Sequence, residues 1–209
     1  SLSPKHLLKH PFYQDWNAGK LTRENLQFYA SQYFRHVDAF PRYVSAVHSQ
    51  GERIEDRQVL LENLIDEERG QNHHPELCLR FGESLGVTRE QVLSSGAMPE
   101  TEKLVKGFFN LCRKSYASGL GALLAYEHQV PETAVTKIDG LQKFYGVTEG
   151  PGLDFFKVHL EADIYHSQAC GALIDKLSPA EQEETRAAAL EAADLLWNFL
   201  SGVQNHCMK

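Results

Sequence analysis

Apolar positions recur every three to four residues along most of this chain, and clusters of turn residues interrupt them. That period places apolar side chains on one face of an α-helix, whereas half-buried strands need a period of two, and no Val/Ile/Thr-rich alternating run is present. The pattern predicts an all-α protein of seven or eight helices, near 4–17, 22–49, 53–72, 74–85, 101–129, 132–145, 151–177 and 179–204. Ser178-Pro179-Ala180-Glu181 combines a capping serine, a proline at the first helical position and a carboxylate that can reach back to the cap. Thr88 with Gln91 is a weaker version of the same box. Gly70, Gly86, Gly146 and Gly150 fall at or near helix ends, and Pro131 and Pro151 mark breaks or starts. No repeat, low-complexity tract or Pro/Ser-rich linker divides the chain, so residues 1–209 read as one domain.

The chain has 209 residues, enough for one well-buried core. Its 21 basic and 28 acidic residues leave a net charge of −7, without a Lys/Arg-rich stretch to follow a phosphate backbone or anionic lipid. Nucleic acid and membrane surfaces are therefore not expected partners. The apolar runs are far shorter than the roughly 20 residues of a spanning helix, and SLSPKHLLKHPF lacks the apolar core of a secretory signal, so a cytoplasmic location is expected. Cys78, Cys112, Cys170 and Cys207 are scattered with no C-x-x-C pair, which argues against a zinc knuckle or redox dithiol and for reduced thiols.

Certain ionisable residues interrupt this apolar pattern. His159, Asp163 and His166 stand at i, i+4 and i+7 among Phe155, Phe156, Val158, Leu160 and Ile164, which puts all three on one helix face. Glu67 and His74 are also seven residues apart, a spacing that selects His74 over His73, and Glu127 follows the apolar run Leu120 to Tyr126. Buried ionisable groups are costly unless paired or metal-bound. Three imidazoles and three carboxylates without thiolate suit two divalent iron or manganese ions, whose usual business is dioxygen. The same residues also fit solvated helix faces, as the acidic run Asp66-Glu67-Glu68 illustrates, or a buried salt bridge at Glu127.

Longer stretches carry more information than spacing. HPFYQDWNAGKLT, LQFYASQYFRHVDAFPRYVSAVHS, LLENLIDEERGQNHH, YEHQVPETAVTKIDGL and HLEADIYH make nearly the whole chain resemble the family of the Chlamydia protein associating with death domains and its bacterial homologues. That family lies within the haem-oxygenase-like di-metal oxidase superfamily. The resemblance implies a haem-oxygenase-like helical bundle, with the six ligand positions falling on Glu67, His74, Glu127, His159, Asp163 and His166. Haem is not implied, and superfamily members that form a quinone cofactor (PqqC-like) or salvage thiamine (TenA-like) lack this ligand set. Two divalent ions (Fe/Fe or Fe/Mn), O2 as co-substrate and an external reductant are what the resemblance calls for.

It further implies a route to para-aminobenzoate, the aromatic piece of folate, in which the protein consumes its own side chains in a single turnover. Tyr13 matches the position that supplies the ring, Lys137 the suspected source of nitrogen, and Tyr29 and Tyr126 match tyrosines near the metals. Phe155 stands where the chlamydial protein carries tyrosine, so no radical can pass through a phenol there. By themselves, Phe12, Tyr13 and Trp16 read as the apolar stripe of the first helix, and Lys137, near Glu132 and Asp139, as a surface lysine. Other readings are a catalytic di-iron oxygenase acting on a small external amine, amino acid or fatty acid, and a module that binds death domains. A homodimer is expected from the superfamily.

Overall fold

The computed structural model describes residues 5–208, the Glu161 side chain excepted, and is all-helical there. A 3-10 turn, Leu7–Lys9, leads into α1 (Pro11–Asn17). The rest is α2 (Arg23–His48), α3 (Ile54–Glu68), α4 (His74–Ser84), α5 (Arg89–Ser94), α6 (Pro99–Lys114), α7 (Tyr116–Glu127), α8 (Val130–Phe144), α9 (Pro151–Ile174) and α10 (Pro179–Cys207). The capping boxes at Thr88 and Ser178 both form, and a third forms at Thr22 with Asn25.

Three expectations need correction. Residues 4–17 are not one helix: a 3-10 turn comes first, His10 is extended, and its ring caps α1 by accepting from Phe12 N. Residue 4 lies outside the described residues. Residues 101–129 form two helices, because Ser115 adopts an extended backbone and its hydroxyl accepts from Ser118 N, starting α7 afresh. Residues 89–94 form a short helix behind Thr88 that the apolar pattern does not predict.

The central element is α7, apolar nearly all round and buried from Ala117 through Leu123 and again from Ala125 through Glu127. Its small residues let neighbours approach: a Cβ on Gly119 would sit 2.4 Å from Val47 of α2, and one on Gly121 2.2 Å from the Thr185 carbonyl oxygen of α10. Around it α2, α6, α9 and α10 enclose one hydrophobic core. Helix α9 runs between α4 and α8 and also meets α3 and α7. No described helix is long and apolar enough to cross a membrane.

Candidate metal centre

Five of the six predicted ligands sit on α3, α4 and α9, and Glu127 closes α7. All six are at most 4% exposed. Glu67 and His74 come together, but not on one helix: α3 ends at Glu68, the chain turns through Gly70 at φ +81°, and α4 begins at His74. His73 is the extended N-cap, its ring accepting from Glu76 N, which leaves His74 as the inward-facing imidazole. This loop, and not a seven-residue helical repeat, is what turns His74 towards Glu67.

His74 Nδ1 lies 2.9 Å from Glu67 Oε2, and its ring centroid is 4.3 Å from that of His159. Glu67, His74 and His159 each present one ligand atom, all within 4.8 Å of one another. His159 Nδ1 is 2.5 Å from the Phe155 carbonyl oxygen, so that nitrogen carries the proton and Nε2 is left as the donor atom. His166 is held by Asp66, whose Oδ2 lies 3.0 Å from Nε2, which leaves His166 Nδ1 inside, 3.8 Å from Asp163 Oδ1. Glu127 stands apart from the triad with both oxygens engaged: Asn63 Nδ2 donates to Oε1 at 2.6 Å and the Cys170 thiol to Oε2 at 3.4 Å.

These groups are in electrostatic conflict. Burial, and then the charge of Asp163, pushes the Glu127 carboxyl up to about 8. Burial, with Glu67 adding to it, raises Asp163 to about 6. Burial opposes a charge on His166, but Asp163, Glu127 and Asp66 prevail and carry it up to about 9. Burial holds His159 well below the ordinary imidazole range. Asp163 Oδ2 and His166 Nδ1 are buried without a hydrogen-bond partner. Unpartnered inward donors, three crowded carboxylates and a thiolate-free N/O set fit divalent cations such as iron or manganese.

The second half of the prediction lies beside this cluster. Tyr13 of α1, Tyr29 of α2, Tyr126 of α7 and Lys137 of α8 are all buried. They line a cavity of about 20 Å³, closed by Thr133 and Phe199, with room for about one water. Lys137 is not the surface lysine that its charged neighbours suggest: it is 3% exposed, and burial lowers its amine to about 7. Its Nζ lies 4.5 Å from the ring centroid of Tyr33, 5.1 Å from Phe156, 5.5 Å from Tyr29 and 5.8 Å from Tyr13. Burial pushes the Tyr13 phenol above its ordinary value, tempered by the Tyr29 and Thr133 hydroxyls.

Asn63, Asp66, Cys170 and Tyr33 escaped the sequence reading. Spacing was the available signal for three of them: Asn63 precedes Glu67 by one turn, Cys170 follows His166 by one turn, and Tyr33 follows Tyr29 by one turn.

Comparison with known proteins adds to this geometry. Residues 27–198 match the family model described as iron-containing redox enzyme. The chain is similar to the 4-aminobenzoate synthase of Nitrosomonas europaea, 46% identical and covering 99% of this chain and 89% of the relative. It is also similar to the 4-aminobenzoate synthase of Chlamydia pneumoniae, 40% identical with 98% and 92% covered. Among solved structures, a domain with a heme oxygenase-like fold from Shewanella denitrificans superposes with a TM-score of 0.83 at 18% identity, over 97% of this chain and 87% of that one.

Proposed function

The chain belongs to the family of iron-containing redox enzymes, and from that membership we propose that it makes 4-aminobenzoate from its own Tyr13, with Lys137 as nitrogen donor. One observation carries this reading: helices α1 and α8 bring a buried amine to 5.8 Å from the ring of a buried tyrosine, beside the candidate ligands. The cavity between them, about 20 Å³, suits a reaction whose aromatic substrate is already part of the wall. A free amino acid or fatty acid would not fit there.

Glu67, His74 and His159 would hold one divalent ion, and Glu127, Asp163 and His166 complete the donor set for a second. Bound iron, alone or with manganese, would supply the oxidising power that O2 and an external reductant bring to such a site. The remaining tasks fall to the chain itself. Burial keeps the Tyr13 phenol protonated, so its O–H hydrogen stays available for removal. Lys137, lowered to about 7, presents a neutral amine with a free lone pair in a large share of molecules near neutral pH. Phe12, Trp16, Tyr29 and Phe156 are buried around this pair and keep bulk water away.

The test is anaerobic loading with iron, or iron plus manganese, followed by reductant and O2 with no aromatic compound added. 4-Aminobenzoate in the filtrate at no more than one equivalent per chain, with side-chain loss at Tyr13 in peptide mass spectra, is the expected result. Tyr13→Phe is expected to abolish product while metal content stays the same. Full product from that variant, or many turnovers on an added substrate with an intact chain, would overturn the reading.

A further inference from the structure

No hydrogen bond, ion pair or ring contact among the described residues joins Tyr13 to any of the six candidate ligands. An oxidising equivalent produced at the ligand cluster therefore has to cross intervening side chains before it reaches the Tyr13–Lys137 pair. Tyr126 is the buried phenol next to a candidate ligand: it precedes Glu127, whereas Tyr165, beside His166, is exposed to solvent. Its hydroxyl is 2.5 Å from the hydroxyl of Tyr33. Tyr33 in turn stacks on Tyr29 at 5.2 Å and 13°, and it is the ring closest to Lys137 Nζ.

We infer that Tyr33 is the relay residue that takes the oxidising equivalent from Tyr126 and holds it, as a neutral phenoxyl radical, against Tyr29 and beside Lys137. The inference rests on the proposed function, whose iron and O2 supply the one-electron oxidant. Once Tyr126 has lost its O–H hydrogen, Tyr33 gives up its own along the 2.5 Å bond. One proton and one electron move together, Tyr126 returns to the phenol, and Tyr33 becomes the neutral phenoxyl radical in ring contact with Tyr29.

Burial explains why the hydrogen bond matters. Both rings are buried away from water, so a tyrosine here loses an electron readily only if its proton leaves in the same event, and that requires an acceptor in place, which the other hydroxyl provides. The other link to the cluster is Phe155, 6.0 Å from the Tyr33 ring and 4.4 Å from that of His159, but a phenyl ring has no O–H to give.

The experiment places 3,5-difluorotyrosine at position 33, loads the protein with iron, starts the reaction with reductant and O2, and freezes it for electron paramagnetic resonance. A radical signal split by fluorine is expected. In Tyr33→Phe, which keeps the stacked ring and removes only the hydroxyl, product is expected to fall at least tenfold while iron content and melting temperature stay near the parent's. A radical without fluorine splitting, together with product from Tyr33→Phe within twofold of the parent, would overturn the relay and leave the proposed function standing. A fluorine-split radical without 4-aminobenzoate would uphold the relay and remove the proposed function.

Discussion

Lys137→Met should make the metal-free protein more stable, and by an amount that depends on pH. The native amine is lowered from an ordinary 10.5 to about 7, chiefly by burial. Each pKa unit is worth about 1.4 kcal/mol, so burying the charged form costs about 5 kcal/mol. The four aromatic faces around Nζ favour the cation, and the amine still falls to about 7. Among the described residues no carboxylate pairs with Lys137, so this cost is otherwise unrelieved. Below about pH 7 the amine is protonated in both folded and unfolded chains, and the full cost is present. Between pH 7 and 10.5 the folded amine is neutral while the unfolded one is charged, so wild-type stability climbs towards that of the variant. Above 10.5 both are neutral and the difference vanishes. Methionine fills the same space without a charge, so the expected gain is about 5 kcal/mol at pH 6, about 2 kcal/mol near pH 9, and little above pH 10.5. At this chain length it corresponds to a rise in Tm of about 15 °C at pH 6. Urea unfolding of both proteins in chelator, followed by circular dichroism from pH 6 to 10, measures it. A difference that is flat with pH, or a destabilised variant, would mean that the fold compensates the charge, and Lys137 could not then be the free-base nucleophile.

Other outcomes follow from single contacts. His159→Ala removes a member of the buried triad and is expected to lower bound iron below two equivalents per chain, measured by elemental analysis. Asp66→Asn, a half-exposed change, should leave the fold intact yet weaken metal binding about 10- to 100-fold in a chelator competition, because the carboxylate that orients His166 is gone. Unchanged affinity would show that His166 needs no such partner. Gly121→Ala puts a Cβ 2.2 Å from a backbone oxygen of α10, so it should cost about 1–3 kcal/mol and lower Tm by several degrees in calorimetry. An unaltered Tm would mean that α7 and α10 separate without penalty.

The helices and half of the candidate metal centre were legible along the chain because their causes are local. Thr88 and Ser178 bond to backbone only three residues away, and His159, Asp163 and His166 share a face through the pitch of one helix. Ser115 was equally local but went unread: a capping serine just after Arg113-Lys114 divides an apolar run that otherwise looks continuous. Lys137 could have been placed inside from its spacing, since Thr133, Ala134, Gly140 and Leu141 mark the buried face of α8 and Lys137 lies on it. Its charge outweighed that pattern in the sequence reading.

The remaining features depended on tertiary structure. Glu67 and His74 are neighbours because a loop turns back at Gly70, not because of a helical repeat. Asn63 and Cys170 reach Glu127 from two other helices, Asp66 meets His166 across 100 residues, and the Tyr33 hydroxyl finds Tyr126 across 93. Periodicity states which face of a helix turns inward, but not which inward faces meet or at what height. That is decided when close contacts such as Gly119 against Val47 and Gly121 against Thr185 set how nearly the helices approach.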